Sequence, residues 1–294
     1  LSPWNWINER RVTVMGQEKV FKHPVGVTVL DYLALYKKFT YTMQESYKLD
    51  HIAFVELGDR KLDYSEHGSL LDLYKEDYQK FIEYNIKDVE IVDRLDKKMG
   101  LIDLVFALAY DAKVNYIDSL TSVKMWDIII TNYLAKQNKV VPKRSNAVKE
   151  RQIQGAFVKD PQVGLHKWVC SFDLNSLYPH LIMQYNISPD TLIGHCGVSY
   201  TIDDALNGAY SQHEIRKQIE DDNVAISATG FKFRKDKRGF LPELMDSMYR
   251  DRKVYKGKML EAKQAYEKNP TPKLEADISR FDNLQMAKKI QLNS

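Results

Sequence analysis

Two prolines separated by a single residue, Pro270 and Pro272, constrain the last quarter of this chain more than any other feature. Proline fixes φ and has no N–H to give, so a helix interior cannot run through it. The break Asn269-Pro270-Thr271-Pro272 falls between two stretches that otherwise read as long helices. The first covers Leu241–Lys268 and opens with Leu241-Pro242-Glu243, where proline sits in the first turn and its missing N–H costs nothing. The second runs from about Leu274 to Ser294. Two long helices joined by so short a turn can share an apolar face only by folding back on each other, which predicts an antiparallel helical hairpin.

The preceding residues read differently. Arg11–Val14 and Lys19–Phe21 read as short strands around Gly16, a hairpin. Val29–Lys38 repeats apolar residues at helical spacing, and Asp63–Gly68 is polar and turn-like. Leu70–Lys98 contains two helical stretches; in the second, Tyr78–Met99, the apolar positions Phe81, Ile82, Ile86, Val89, Val92 and Leu95 come close to a 3.6-residue period. Ile102–Ala112 and Thr121–Ala135 read as apolar helices, and Lys139–Arg144 as a connection and candidate boundary. Beyond it, Gly155–Val158 and the apolar run Lys167–Phe172 read as strands, followed by a helix over Pro179–Tyr185. Gly194–Asp222 is polar, and Phe231–Arg238 is a basic strand or loop.

With 294 residues, 44% of them hydrophobic and 28% charged, the chain can bury cores, and its length suggests about two domains. No run of about 18 apolar residues marks a membrane span. Two cysteines do not make a disulfide framework and fit a reducing compartment. The net charge of +3 conceals an asymmetry: Phe231–Ser294 holds 16 Lys and Arg against 9 Asp and Glu, a local +7, leaving −4 on the rest. A basic end beside an acidic remainder suggests a polyanionic partner. The chain starts at Leu1 without Met or a signal-peptide pattern, and its two ends suggest a piece of a longer protein.

The most specific run is Ser171-Phe172-Asp173-Leu174-Asn175-Ser176-Leu177-Tyr178-Pro179. An apolar strand that delivers Asp173 to a tight turn before a helix is a rigid place for a Mg²⁺ ligand. The amides of Asn175–Leu177 could face a phosphate, and Tyr178 would set an aromatic ring beside it. An isolated Asp-x-x-Ser would more often be a helix cap. The whole run, with Asn186-Ile187-Ser188-Pro189-Asp190-Thr191 after it, closely resembles motif A of family B DNA polymerases, except that His180 replaces the usual serine after Tyr-Pro. The resemblance implies that Asp173 is one of two palm carboxylates binding two Mg²⁺ ions, that the Leu174 carbonyl completes one metal site, and that the amides of Ser176 and Leu177 hold the triphosphate. It implies that Tyr178 is a steric gate against a ribose 2′-hydroxyl.

Arg252 and Lys256 share a helix face four residues apart, as do Lys289 and Asn293. Most such pairs are solvated surface charges, but cations on rigid helices can also stabilise a triphosphate and its leaving pyrophosphate. Gly239-Phe240-Leu241-Pro242 and the following basic run resemble the first fingers helix of the same family, and Lys289-Ile290-Gln291-Leu292-Asn293-Ser294 resembles the start of its motif B. By that resemblance Arg252, Lys256, Lys289 and Asn293 contact the nucleotide, and Lys289 protonates pyrophosphate.

Tyr84 and Asp88 likewise share a helix face, and a Tyr hydroxyl that orients water beside a metal-binding carboxylate suits phosphodiester hydrolysis. A lone Tyr-x-x-x-Asp is usually only an amphipathic helix. Tyr84-Asn85-Ile86-Lys87-Asp88-Val89-Glu90 resembles the third motif of the family's proofreading exonucleases, and the early hairpin resembles the one that moves a primer end between sites. Val29–Phe39 and Gly155–Val158 also resemble the polymerases of T-even-type bacteriophages, so the resemblance covers nearly the whole chain.

The resemblance implies a mixed α+β fold: the C-terminal part of an RNase H-like exonuclease domain (1–100), a segment returning to an N-terminal domain (101–143), the first part of the palm (144–238) and truncated helical-hairpin fingers (239–294). It implies DNA-directed DNA synthesis with two Mg²⁺ ions per site, primer–template DNA and dNTPs as partners, a sliding clamp and other replisome proteins reached through further regions, and the cytoplasm of an infected bacterium as the location. No Asp-x-Asp occurs anywhere in the sequence, so the second palm carboxylate is missing and the segment alone is expected to be inactive. A repair nuclease and a non-catalytic DNA-binding protein are the alternatives. The run around Asp173 argues against the first and has no purpose in the second.

Overall fold

A computed structural model describes residues 2–14, 17–40, 42–143, 158–197, 201, 203–204, 207–208, 222–227 and 229–294. The chain forms two compact units, Leu1–Gln137 and Asn138–Ser294, and the division falls just before the Lys139–Arg144 connection. Among the described residues the fold is mixed α+β, with nine α-helices and two small antiparallel sheets. None of those helices is long and apolar enough to cross a membrane.

The first unit opens with the hairpin β1 (Ile7–Val14) and β2 (Gln17–Pro24), paired from Ile7↔Pro24 to Val14↔Gln17. Six helices follow: α1 (Tyr32–Phe39), α2 (Leu49–Leu57), α3 (Leu70–Glu76), α4 (Tyr78–Met99), α5 (Leu101–Ala112) and α6 (Ser122–Ala135). Their starts are written locally. Asp31, Ser69 and Asp77 accept hydrogen bonds from the first-turn amides of α1, α3 and α4. Gly100, at φ 61, lets the chain leave α4 and enter α5 at once. Leu35, Ile52, Ala53, Ile91, Leu95 and Val105 form the core. On α4 the buried residues are Tyr84, Ile91 and Leu95, and Asp88 is half-buried one turn after Tyr84.

The second unit is built on α7 (Leu177–Tyr185), the sheet β3 (Leu192–His195), β4 (Val224–Ile226) and β5 (Phe231–Arg234) in the order β3-β5-β4, and the long pair α8 (Phe240–Lys268) and α9 (Pro272–Asn293). The expected hairpin is there. Thr271 caps α9 through the Leu274 amide at 3.3 Å, with Pro272 in the first turn. Lys288 of α9 pairs with Asp251 of α8 at 3.2 Å, and Lys258 lies over the Phe281 ring, two contacts in one antiparallel register.

The base of α8 is set by a polar knot. Asn186, at φ 55, ends α7 and is buried; its amide donates to the carbonyls of Arg234 (2.6 Å) and Lys237 (2.8 Å) and accepts from the Gly239 amide (2.9 Å). Thr191 Oγ1 donates to the carbonyls of Asn186 and Ser188, and Ser188 Oγ and Asp190 accept from the first amides of α8. Gly239 is obligatory here, because a Cβ on it would lie 2.5 Å from Ser188 Cβ and 2.9 Å from Thr191 Cγ2.

One expectation fails. Lys167–Phe172 is not a strand: residues 158–175 carry no helix or strand, and Trp168 and Phe172 are almost fully exposed. A strand needs a hydrogen-bonded neighbour and a covered face, and no described element pairs with this run. The expected strand at Gly155–Val158 lies outside the described residues except for Val158, which is in neither a helix nor a strand.

Truncating Asn186 removes three hydrogen bonds and strands the buried Gly239 amide. Asn186→Ala is expected to destabilise the second unit by about 2–4 kcal/mol, read from chemical denaturation.

Candidate active site

In the first unit Tyr84 lines a cleft of about 610 Å³ together with Lys48, Asp50, Arg60, Lys61 and Tyr64. Tyr84 is buried with its ring edge-on to Tyr64 at 5.1 Å. Lys61, which the sequence reading did not single out, ties Tyr84 to Asp88. Its Nζ is 2.8 Å from Asp88 Oδ2 and 4.5 Å from the centre of the Tyr84 ring. Asp50 fixes the backbone there by accepting from the Lys61 amide at 2.9 Å. Burial works against the Lys61 charge, but hydrogen bonds with Asp88 and Tyr84 outweigh it and hold the ammonium pKa above the ordinary lysine value. Asp88 Oδ1 is buried without a hydrogen-bond partner among the described residues. Glu90 is two residues on along the same helix, so Asp88-Val89-Glu90 is no Asp-x-Glu pair.

In the second unit Asp173, Leu174 and Asn175 are exposed in the irregular run before α7. Asp173 has no hydrogen-bond or ion-pair partner among the described residues. Ser176 takes the left-handed conformation at φ 55, and no side chain caps the start of α7, which leaves the leading amides from Leu177 open to an anion. Tyr178 is 66% exposed on the outer side of that first turn. His180 points the other way: its Nδ1 is 2.9 Å from the Ser176 carbonyl and its ring meets Tyr249 of α8 edge-on at 4.8 Å.

With Asn186 bonded at the base of α8 and His180 against Tyr249 in its third turn, α7 runs antiparallel to α8. The first turn of α7, Leu177–His180, therefore lies beside Tyr249, about one turn before Arg252 on α8. Arg252 is half-buried, with Nε lacking a hydrogen-bond partner among the described residues; Lys256 and Asn293 are exposed, and Lys289 is half-buried. The Asp251–Lys288 pair sets Lys289 beside the same part of α8. Lys61, the Asp251–Lys288 pair and the His180–Tyr249 contact had no local signal, since each joins residues 27 or more apart. Among the described residues no group of three or more His, Cys, Asp or Glu could hold a metal ion.

The model of DNA polymerase family B matches residues 118–294, which include the Asp173 turn and the whole helical pair. The chain belongs to DNA polymerase family B. Its sequence is 40% identical over 240 residues to the DNA-directed DNA polymerase of Escherichia phage RB69, covering 81% of this chain and 25% of that protein. It is 35% identical over 264 residues to the DNA-directed DNA polymerase of Enterobacteria phage T4, covering 88% and 28%. DNA polymerase 1 of Pyrococcus abyssi is 24% identical over 195 residues, covering 65% and 22%. The chain thus spans about a quarter of the length of these relatives.

Because the Lys61 pKa is raised by folding, its contribution to stability is complete below about pH 10.5 and is lost as pH rises through the higher folded value. Denaturation midpoints of wild type should fall between about pH 9 and pH 11.5 by more than those of Lys61→Met; equal slopes would show that the pair is not coupled to folding.

Proposed function

We propose that this chain is the part of a DNA-directed DNA polymerase that supplies one palm carboxylate and the triphosphate-binding cations. The observation that supports the reading is the pinning of α7 against α8 by Asn186 and His180, which puts the helix that follows Asp173 alongside the helix that carries Arg252. A primer 3′-hydroxyl would attack the α-phosphate of a dNTP, forming a P–O bond as pyrophosphate leaves. The free Asp173 carboxylate and the Leu174 carbonyl are a donor set that fits a divalent cation. The chemistry supplied by two Mg²⁺ ions, when bound, is activation of the hydroxyl and neutralisation of charge on the phosphates. Leading amides of α7, with Ser176 and Leu177 at their head, and the side chain of Asn175 would meet the triphosphate from one side. Arg252, Lys256, Lys289 and Asn293 would meet it from the helical pair, with Lys289 donating a proton to pyrophosphate. Tyr178 would lie beneath the sugar and leave no volume for a 2′-hydroxyl.

A second activity is favoured by the Lys61–Asp88–Tyr84 cluster. Residues 1–100 would be the C-terminal part of an RNase H-like 3′→5′ exonuclease domain, with Asp88 a metal ligand, Tyr84 orienting water and the cleft receiving a nucleotide whose phosphates Arg60 and Lys61 attract. Residues 101–143 would return to an N-terminal domain, 144–238 begin the palm and 239–294 form the fingers. Primer–template DNA, a sliding clamp and further replisome proteins would be its partners, in the cytoplasm of an infected bacterium.

Primer extension by the full-length enzyme tests this. Arg252→Ala should raise KM for dNTP or lower kcat while DNA binding persists, and Tyr178→Ala should raise the ratio of ribonucleotide to deoxyribonucleotide incorporated. Loss of DNA binding with normal dNTP use would make Arg252 a DNA-backbone contact instead.

A further inference from the structure

We infer that His180 and Tyr249 form a clamp that positions Tyr178 and so sets how strictly the site selects its sugar; this rests on the polymerase reading above. Ser176, Tyr178 and His180 occupy one turn. At its head, Ser176 holds a left-handed conformation that a residue with a Cβ adopts only when its surroundings enforce it. Its carbonyl is the common acceptor for the His180 main-chain amide at 3.1 Å and the His180 ring Nδ1 at 2.9 Å. A carbonyl can only accept, so the ring carries its proton on Nδ1 in this contact. The same ring then abuts Tyr249 edge-on, and Lys253 lies over the Tyr249 ring at 4.6 Å, so a stack of three side chains backs the turn onto α8. Tyr178 projects from the opposite side of the turn, 66% exposed, and among the described residues no hydrogen bond or ring contact of its own holds it.

A ring that rejects one extra oxygen by volume works only if its place is fixed to a fraction of an ångström. On the Tyr178 side nothing described supplies that precision. On the other side the His180 ring does, through one hydrogen bond to the backbone of the turn and one ring contact to α8. His180 and Tyr249 touch neither sugar nor phosphate in this account: they are positioning residues for specificity.

The test is carried out in the full-length polymerase, with ribonucleotide and deoxyribonucleotide incorporation measured side by side for wild type, His180→Ala, Tyr249→Ala, the double variant and His180→Phe. The expected result is a ribonucleotide-to-deoxyribonucleotide ratio raised roughly 2- to 10-fold in each alanine variant, the range that the loss of an aromatic contact converts to. The double variant should add little to either single one, because the two side chains act as one unit. His180→Phe keeps the ring contact and should recover part of the selectivity. Tyr249→Ala is read in place of His180→Ala if the latter lowers the melting temperature. An unchanged ratio in folded variants, or fully additive effects, would overturn the clamp. A wild-type enzyme that extends no primer would instead overturn the polymerase reading.

Discussion

A buried side-chain amide has three or four hydrogen bonds to make, and the second unit is organised around the one that makes them to main chain. Asn186 closes α7, holds the carbonyls of Arg234 and Lys237 at the end of β5, and takes the Gly239 amide that begins α8. A left-handed residue, a glycine without room for a Cβ, and the hydroxyls of Ser188 and Thr191 complete the joint. Because Asn186, Ser188, Thr191 and Gly239 are buried, their polar groups must be satisfied within the joint, which restricts it to one geometry. The direction of α8, and with it the height of Arg252, follows from that geometry.

The two candidate sites are built on the same economy of means. In each, a candidate carboxylate or ring stands on a helix, and a residue distant in sequence contacts that helix beside it. Asp88 stands on the buried stripe of α4, where Ile91 and Leu95 continue as core, and Lys61 from the loop after α2 supplies the opposing charge. Tyr178 stands on the first turn of α7, and His180 two residues on turns inward to Tyr249. Rigid helices carry the candidate groups, and single long-range contacts fix their register.

Much of this was legible in the residues. Helical periodicity located α4, α5 and α6 within a residue or two, the paired prolines located the α8–α9 turn, and Asp173 stands before a helix as the motif required. Three things were not. The strand expected at Lys167–Phe172 depends on a neighbour to pair with, and apolar sequence alone cannot supply one. Lys61 sits in a charged loop that looks like any solvated surface until folding carries it to Asp88. The role of Asn186 was hidden because the string from Asn186 to Thr191 reads as a polar turn; only the structure reveals that its side chains point inward onto the start of α8.

The central claim is that Asp173 is a metal-binding carboxylate of nucleotide addition, and one substitution addresses it most directly. In the full-length enzyme, Asp173→Ala should abolish primer extension while binding of primer–template DNA and degradation of a primer 3′ end continue at wild-type levels. Extension at the wild-type rate would contradict the account, because a carboxylate that holds the reacting metal cannot be dispensable.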